Sequence, residues 1–165
     1  MDYMFLPLKR YAEFSGRSRR MEYWMFALFQ ILLWLVFAIV AGAIVGAALM
    51  SSDGLRALMA AGGSVMIVLL LACLIWLALL LPALAVGVRR LHDTDRSGWW
   101  LGGFLIVEFV SGFLRGSGSG LATVASIVAF VLAIVLLVFF CLDGTKGPNK
   151  YGPDPKGGVD AEVFA

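Results

Sequence analysis

Residues 65–88 read VMIVLLLACLIWLALLLPALAVGV, a run of 24 residues without a charged side chain. A helix needs about 20 consecutive apolar residues to cross the roughly 30 Å hydrocarbon core of a bilayer, and this run exceeds that length. It shows no apolar stripe with a period of 3.6 or 2, so neither an amphipathic helix nor a half-buried strand explains it. The run therefore predicts a transmembrane helix.

The composition of the whole chain agrees with a membrane protein. Of its 165 residues, 61% are hydrophobic and 15% are charged, whereas soluble domains average about 45–50% apolar and about 25% charged residues. Three more apolar stretches qualify as spans: about 23–50, 99–114 and 121–142. The stretch 99–114 gives only about 24 Å of helix, so it must thin the bilayer, extend into its flanks or enter and return on one side. We expect an all-α bundle of four transmembrane helices with a small cytoplasmic cap of loops.

The distribution of lysine and arginine predicts the orientation, because cytoplasmic loops retain positive charge during insertion. With the N-terminus inside, 11 of the 13 Lys and Arg residues face the cytoplasm, and only Arg56 and Arg115 lie on the other side. An even number of spans with both termini in the cytoplasm follows. The alternatives are a signal peptide cleaved near Ala41 and a re-entrant third helix, which would place the lysines of the tail outside.

These spans divide the chain into a cytoplasmic N-terminal segment (1–22), a transmembrane domain (23–142) and a cytoplasmic tail (143–165). Three polar segments meet at the cytoplasmic side: GRSRRMEYW (16–24), RRLHDTDRSGWW (89–100) and GTKGPNKYGPDP (144–155). Tyr23, Trp24, Trp99 and Trp100 fall at the predicted inner surface, where an aromatic ring can be buried while its polar atom stays hydrated.

Together these segments resemble the YhaH-like family of bacterial inner-membrane proteins, which is catalogued as domain of unknown function 805. The resemblance covers residues 16–155, and it implies a small multi-span protein of the bacterial inner membrane with no assigned activity. The third span of the family often has a proline and a glycine in its middle, whereas this chain reads LIVEFVSG over residues 105–112. A family-wide role of that helix is therefore not carried over to this chain.

The charged residues of the polar segments are the candidate binding site. They lie close to the bilayer surface, where each basic residue adds about 1 kcal/mol to the attraction of an anionic membrane, and arginine can grip a phosphate with two hydrogen bonds. Alternatively, the aspartates neutralise the arginines and cap the third helix. We expect binding of anionic lipid headgroups or of a membrane partner, which includes a further copy of this chain. The candidate residues are Arg17, Arg19, Arg20, Arg89, Arg90, His92, Asp93, Asp95 and Arg96.

An enzymatic site is a weaker hypothesis. His92, Asp93 and Asp95 could bind a divalent ion or relay a proton, but no nucleophile motif accompanies them. Cys73 and Cys141 lie inside apolar runs without C-x-x-C spacing, which is typical of packed core residues. We therefore predict no catalytic residue, no metal and no cofactor, and the formal charge of +2 gives no reason to expect a nucleic-acid partner.

Glu108 is the single acidic residue predicted at membrane depth, about 13 Å below the inner surface. A charge there costs at least about 2.5 kcal/mol on insertion scales, so it should be protonated, face the bundle interior or pair with another group. Arg115 could reach part of the way, and Gln30, Thr123 and Ser126 are neutral partners on other spans. The alternative function that Glu108 suggests is a small oligomeric transporter or channel subunit.

Residues 144–155 hold three glycines and three prolines, which prevent the fourth helix from continuing. We expect an ordered turn that lies back against the inner surface with Tyr151 as its anchor. A plain polar tail is the alternative.

Overall fold

A computed structural model of the chain describes residues 2–51, 54–116 and 119–157. Within these ranges a single bridge between Asn149 and Gly152 is the only strand-like pairing, so the predicted all-α class is confirmed. The described helices are α1 (Asp2–Lys9), α2 (Arg20–Leu49), α3 (Gly54–Asp93), α4 (Trp99–Arg115) and α5 (Gly120–Cys141).

Among the described residues, three helices are long and apolar enough to cross a membrane. They are α2, residues Met59–Asp93 of α3, and α5. Helix α4 forms where the third span is predicted, but its 17 residues give about 25 Å of helix, short of a roughly 30 Å hydrocarbon core. The predicted count of four transmembrane helices is therefore not confirmed by helix length.

Helix α3 extends beyond the apolar run at both of its ends. It begins at Gly54 and ends at Asp93, whereas the apolar run covers residues 65–88. Charged residues can continue the helix past residue 88 because their side chains find partners, as described below. Two residues after the helix ends, Asp95 has a φ of 57°. This is a left-handed conformation that an α-helix cannot contain.

The long helices pack as two hairpins, α2 with α3 and α4 with α5. In the first hairpin, Phe26, Leu79 and Val86 form a buried core. In the second, the small residues Ala122 and Ala129 are buried on α5. Small side chains let two helices approach closely, which favours helix packing within a bilayer.

The two hairpins join near the end of α3 and α5. Leu91 from α3 and Leu136 and Phe140 from α5 form the buried cluster that connects them. Farther from this junction, apolar side chains such as Ile39 and Leu70 are more than half exposed. Such exposure is typical of helices whose outer faces contact lipid.

Helix α1 lies against the first hairpin and was not predicted from the sequence. Phe5 packs edge-to-face on Phe29, with 5.5 Å between the ring centroids. Just after α1, the Tyr11 hydroxyl donates a 2.5 Å hydrogen bond to the carbonyl of Ala78. Pro82, four residues later in α3, has no N–H, so that carbonyl lacks its helical donor. Tyr11 replaces the missing bond and fixes the N-terminal segment to α3.

Candidate functional site

The three polar segments meet where α2 begins and where α3 and α5 end; we call this region the polar cap (residues 10–23, 89–98 and 142–157). At its centre, the carboxylate of Asp93 lies between two guanidinium groups. Its Oδ1 accepts a hydrogen bond from Arg17 at 3.0 Å and its Oδ2 accepts one from Arg90 at 2.5 Å. All three side chains are buried, so one carboxylate links the first and second polar segments inside the protein.

Arg89 forms a second buried ion pair. Its guanidinium donates to Glu22 Oε1 at 2.9 Å and to Ser18 Oγ at 2.8 Å. It also donates to the backbone carbonyls of Arg10 and Glu13. A buried ion pair is favourable only when its remaining polar atoms are also hydrogen-bonded, and each of the three guanidinium nitrogens here has an acceptor.

Arg90 also closes the end of α5. Its Nε donates to the Phe140 carbonyl at 3.2 Å, and its Nη2 donates to the carbonyl of Leu142. The last carbonyls of a helix lack intrahelical donors and carry the negative end of the helix dipole. The guanidinium of Arg90 supplies hydrogen-bond donors to these carbonyls and a positive charge beside the dipole. The indole N–H of Trp24 donates to the same Phe140 carbonyl at 3.3 Å. This part of the cap therefore ties α2, α3 and α5 together.

The tail folds back onto the cap through Arg17. The guanidinium of Arg17 donates to the carbonyls of Thr145 at 2.5 Å and Gly147 at 2.6 Å, and the Thr145 N–H donates to the Asp93 carbonyl at 2.8 Å. A Cβ atom added to Gly144 would lie 2.1 Å from Oδ2 of Asp93. Any side chain at position 144 would therefore collide with the carboxylate at the centre of the cap.

His92 anchors the farther part of the tail. Its ring stacks on Tyr151 with 3.8 Å between centroids and 4° between planes, and the Asn149 side chain donates to the His92 carbonyl at 2.9 Å. The Nδ1 atom of His92 lies 3.2 Å from the Gly16 carbonyl, which can only accept, so we assign the proton to Nδ1. The predicted ordered turn with Tyr151 as its anchor is confirmed.

The structure separates His92, Asp93 and Asp95, which the sequence suggested as a metal or catalytic cluster. Asp93 faces two arginines, His92 faces the tail, and the exposed Asp95 lies 3.6 Å from Lys150. Among the described residues, no group of three His, Cys, Asp or Glu side chains could hold a metal ion. The three side chains of this loop therefore have different partners and do not converge on one point.

The other predicted arginines lie at the surface of the cap. Arg20 is exposed and pairs with Asp143 at 2.9 Å, and Arg19 is half-buried. Arg96 is also half-buried, and its guanidinium lies 3.9 Å from the centroid of the Phe139 ring. Of the six predicted arginines, these three can reach a ligand, whereas the internal network holds Arg17, Arg89 and Arg90.

Two carboxylates hold the tail from the solvent side. Asp154 accepts hydrogen bonds from the backbone N–H groups of Lys156 at 2.8 Å and Gly147 at 3.0 Å, and these bonds hold its pKa below the ordinary value of 3.8. The pKa of Asp143 is lowered by its hydrogen bond from Lys156 and by the charge of Arg20. Both groups are therefore ionised at neutral pH and stabilise the turn in that form.

Glu108 lies outside the cap and pairs with Arg115 on the same helix. The Arg115 Nη2 atom lies 3.3 Å from Glu108 Oε1, and the side chains are 60% and 45% exposed, respectively. Gln30 lies in the first hairpin, among residues of α2 and α3. Thr123 and Ser126 line a shallow groove together with Arg115. The structure thus brings Arg115 to Glu108 and leaves Gln30 apart from it.

Ser18, Glu22 and Asn149 belong to the hydrogen-bond network of the cap but were not among the predicted binding residues. The role of Glu22 could have been predicted from the sequence, because a carboxylate at the start of an apolar span requires a cation when it is buried. The roles of Ser18 and Asn149 could not have been predicted from the sequence, since polar residues of this kind are common in any surface loop.

Comparison with known proteins places the sequence among uncharacterised membrane proteins. It matches the family described as "Protein of unknown function (DUF805)" over residues 11–153. It is 36% identical over 158 residues to inner membrane protein YhaI of Escherichia coli strain K12, which covers 96% of this chain and 98% of that protein. It is 36% identical over 156 residues to inner membrane protein YhaH of the same strain, covering 94% and 98%. No solved structure matches the chain.

Proposed function

This chain belongs to the DUF805 family and is an inner-membrane protein, and we propose that it spans the membrane four times and binds anionic lipid headgroups with its polar cap. The observation that supports binding is the charge of the cap. Its segments contain 10 Lys and Arg residues against six Asp and Glu residues, which gives a net charge of +4. A surface of this charge beside an acidic membrane attracts its headgroups.

Most of this excess charge lies outside the buried network. Arg17, Arg89 and Arg90 face the two carboxylates of Glu22 and Asp93, which leaves one buried positive charge. Exposed ion pairs are worth only about 0–1 kcal/mol, so outer cations can exchange a carboxylate for a phosphate. The seven outer cations, against four outer carboxylates, are Arg10, Arg19, Arg20, Arg96, Lys146, Lys150 and Lys156.

Two observations support four spans with the cap in the cytoplasm. Helix α5 ends at the cap and has the length of a span, while α4 starts beside the cap and packs along α5. In this proposal α4 carries the chain across the membrane, and local thinning of the bilayer compensates for its short length. The cap also contains most of the basic residues, and such segments remain in the cytoplasm.

Cysteine labelling tests this topology. In a chain whose Cys73 and Cys141 are replaced by alanine, we place a single cysteine by Arg56→Cys or by Lys146→Cys. A membrane-impermeant maleimide added to intact cells should label position 56 and should reach position 146 only after permeabilisation. Labelling of both positions in intact cells would mean an odd number of spans. Labelling of position 146 alone would mean that the protein has the opposite orientation.

Native mass spectrometry tests headgroup binding. The delipidated protein is titrated with equal amounts of phosphatidylglycerol and phosphatidylcholine, and we expect wild type to retain phosphatidylglycerol preferentially. A variant in which Lys146, Lys150 and Lys156 are all glutamine should lose much of that preference, since each basic residue contributes about 1 kcal/mol. Arg56→Gln, at the opposite end of the protein, is the matched control and should behave as wild type.

The proposed headgroup function fails if wild type shows no preference for phosphatidylglycerol. It also fails if the triple variant retains the full preference. Variants of Arg89 and Arg90 are unsuitable for this test, because both side chains are wholly buried and their loss would open the cap.

A second candidate function is transport through an oligomer, and the Glu108–Arg115 pair favours it. Charged side chains at the depth of a span usually face a water-filled cavity or a protein partner, and these two are about half exposed within the single chain. In this candidate, several copies enclose a pathway beside α4. Liposomes containing wild type should then leak a small ion faster than empty liposomes, and Glu108→Gln should abolish the difference. Equal leak with and without the protein would remove this candidate.

A further inference from the structure

We propose that one anionic phospholipid straddles the first turn of α4, with its phosphate beside Arg96 and Ser97 and one acyl chain in each of two apolar grooves. This inference rests on the proposed headgroup binding and gives it a location. Four features support it: the grooves, the point where they meet, the charge at that point, and the glycines that form the grooves.

Two apolar grooves share Trp99 as a lining residue. The first, of about 530 Å³, runs between α3 and α4 and is lined by residues that include Leu84 and Val88. The second, of about 360 Å³, runs between α4 and α5 and is lined by residues that include Phe104 and Leu132. Both volumes fall in the range of roughly 300–1,000 Å³ that is usual for ligand pockets, and their mostly apolar walls suit hydrocarbon better than water.

The grooves meet at the edge of the polar cap. Ser97 and Trp99 line both of them, and Trp99 is 78% exposed. Tryptophan prefers the headgroup level of a bilayer, so both grooves begin at the depth of lipid phosphates and run toward the membrane interior. Two apolar grooves that share a polar end at Ser97 fit a ligand with two acyl chains on one phosphate.

Arg96 directly precedes Ser97 in the chain and is the source of positive charge that we assign to that polar point. Arg96 donates a 3.1 Å hydrogen bond to the Thr94 carbonyl, and its guanidinium lies over the Phe139 ring. Phe139 in turn packs against Trp100, a lining residue of the second groove, with 5.3 Å between ring centroids. In the part of the chain that the structure describes, Arg96 forms no ion pair with a carboxylate. The N–H groups at the edge of its guanidinium plane are therefore suited to a phosphate, which arginine binds with paired hydrogen bonds.

Glycines leave room for the two grooves. Gly102 lines the first groove and Gly103 lines the second. A Cβ atom built on Gly103 meets no described heavy atom within 4 Å, so a larger side chain can occupy the groove without displacing the protein. Gly63, in α3, has the same open surroundings but lines neither groove, which makes it a matched control position.

The test compares Gly103→Leu with Gly63→Leu by native mass spectrometry after titration with phosphatidylglycerol and phosphatidylcholine. Both variants exchange one open helical glycine for leucine, so their effects on helix propensity are alike. We expect wild type and Gly63→Leu to retain one phosphatidylglycerol per chain. Retention by Gly103→Leu should fall at least about tenfold, which corresponds to about two methylene groups displaced from the groove.

A second pair of variants tests the phosphate position. Arg96→Gln should still retain a phospholipid but should lose about fivefold of the preference for phosphatidylglycerol over phosphatidylcholine, as expected for one cation near the surface. Arg96→Lys keeps the charge and should keep most of the preference. Thermal unfolding of all four variants checks that the helical bundle is intact.

The outcomes separate this inference from the proposed function. Undiminished retention in Gly103→Leu, together with a clear preference in wild type, overturns the groove site and leaves headgroup binding by the cap in place. Equal loss in Gly63→Leu and Gly103→Leu also overturns the groove site. Absence of any preference in wild type overturns the headgroup function itself.

Discussion

Arg17 and Asp93 are 76 residues apart in the sequence, and in the fold they form a buried ion pair with a hydrogen bond of 3.0 Å. Because Asp93 also binds Arg90 and Arg17 also binds the tail, the pair connects all three polar segments. The cap therefore behaves as one unit, in which the loss of one side chain affects groups far away in the chain.

Asp93→Asn should destabilise the protein strongly. The amide has the shape of the carboxylate but leaves two buried guanidinium groups without their counter-charge, and breaking a buried ion pair by removing one partner costs about 3–5 kcal/mol. We expect the free energy of unfolding in detergent, followed by circular dichroism, to fall by about that amount. Asp143→Asn, which alters exposed ion pairs, should leave the unfolding curve nearly unchanged. Equal losses in the two variants would mean that burial of Asp93 does not decide its contribution.

Gly144→Ala should release the tail. The added methyl group would lie 2.1 Å from Oδ2 of Asp93, and overpacking of this kind costs about 1–3 kcal/mol. Trypsin should then cleave after Lys146 and Lys150 about tenfold faster than in wild type. Gly116→Ala, at a position where a Cβ meets no described atom within 4 Å, is the control and should be cleaved at the wild-type rate. Unchanged cleavage in Gly144→Ala would contradict the close approach of Asp93 and the tail.

Tyr11→Phe should destabilise the first hairpin by about 1 kcal/mol, because the Ala78 carbonyl loses its hydrogen-bond donor. Pro82→Ala restores a backbone N–H that can serve the same carbonyl. In a double-mutant cycle the cost of Tyr11→Phe should therefore be smaller in the Pro82→Ala background. If Tyr11→Phe costs the same in both backgrounds, its hydroxyl does not compensate for the proline.

The attachment of the tail should weaken in acid. The pKa of Asp154 is lower in the folded protein than its ordinary value of 3.8, so the charged carboxylate stabilises the turn above that pH. This contribution is lost as the pH falls through the folded pKa. A spin label on Lys150→Cys, in a background without Cys73 and Cys141, should become mobile below the folded pKa. Asp154→Asn should make the label at position 150 mobile at neutral pH and remove this pH dependence. If the label stays immobile in the Asp154→Asn variant, Asp154 does not hold the tail in place.

The sequence predicts the helices well because the residue patterns that produce them are short-range in the sequence. The uncharged run 65–88 specifies the apolar part of α3, and the glycines and prolines after residue 143 specify where α5 must end. The extension of α3 to Asp93 depends on partners elsewhere, such as Glu22 for Arg89, and no local pattern contains that information. Helix α1 was missed for the same reason, because its position depends on contacts with α2 and α3.

The character of the candidate site was predictable only in part. Clustering of basic residues indicated which segments meet, but it could not show which guanidinium groups face inward. Arg89 and Arg90 were predicted as binding residues, yet each donates hydrogen bonds to backbone carbonyls of other segments. Burial depends on these distant acceptors, whereas Arg96 remains near the surface beside an aromatic ring.

The order in which the chain is made adds a consequence to the bond between Arg17 and the tail. The carbonyl acceptors on Thr145 and Gly147 follow Arg17 by 128 and 130 residues. A ribosome that adds about 5–20 residues per second needs roughly 6–26 s to deliver them. Until then, the guanidinium of Arg17 lacks these acceptors, and a nascent chain that ends before residue 145 never obtains them. Closure of the cap through Arg17 therefore waits for synthesis of the tail segment, which follows the last residue of α5.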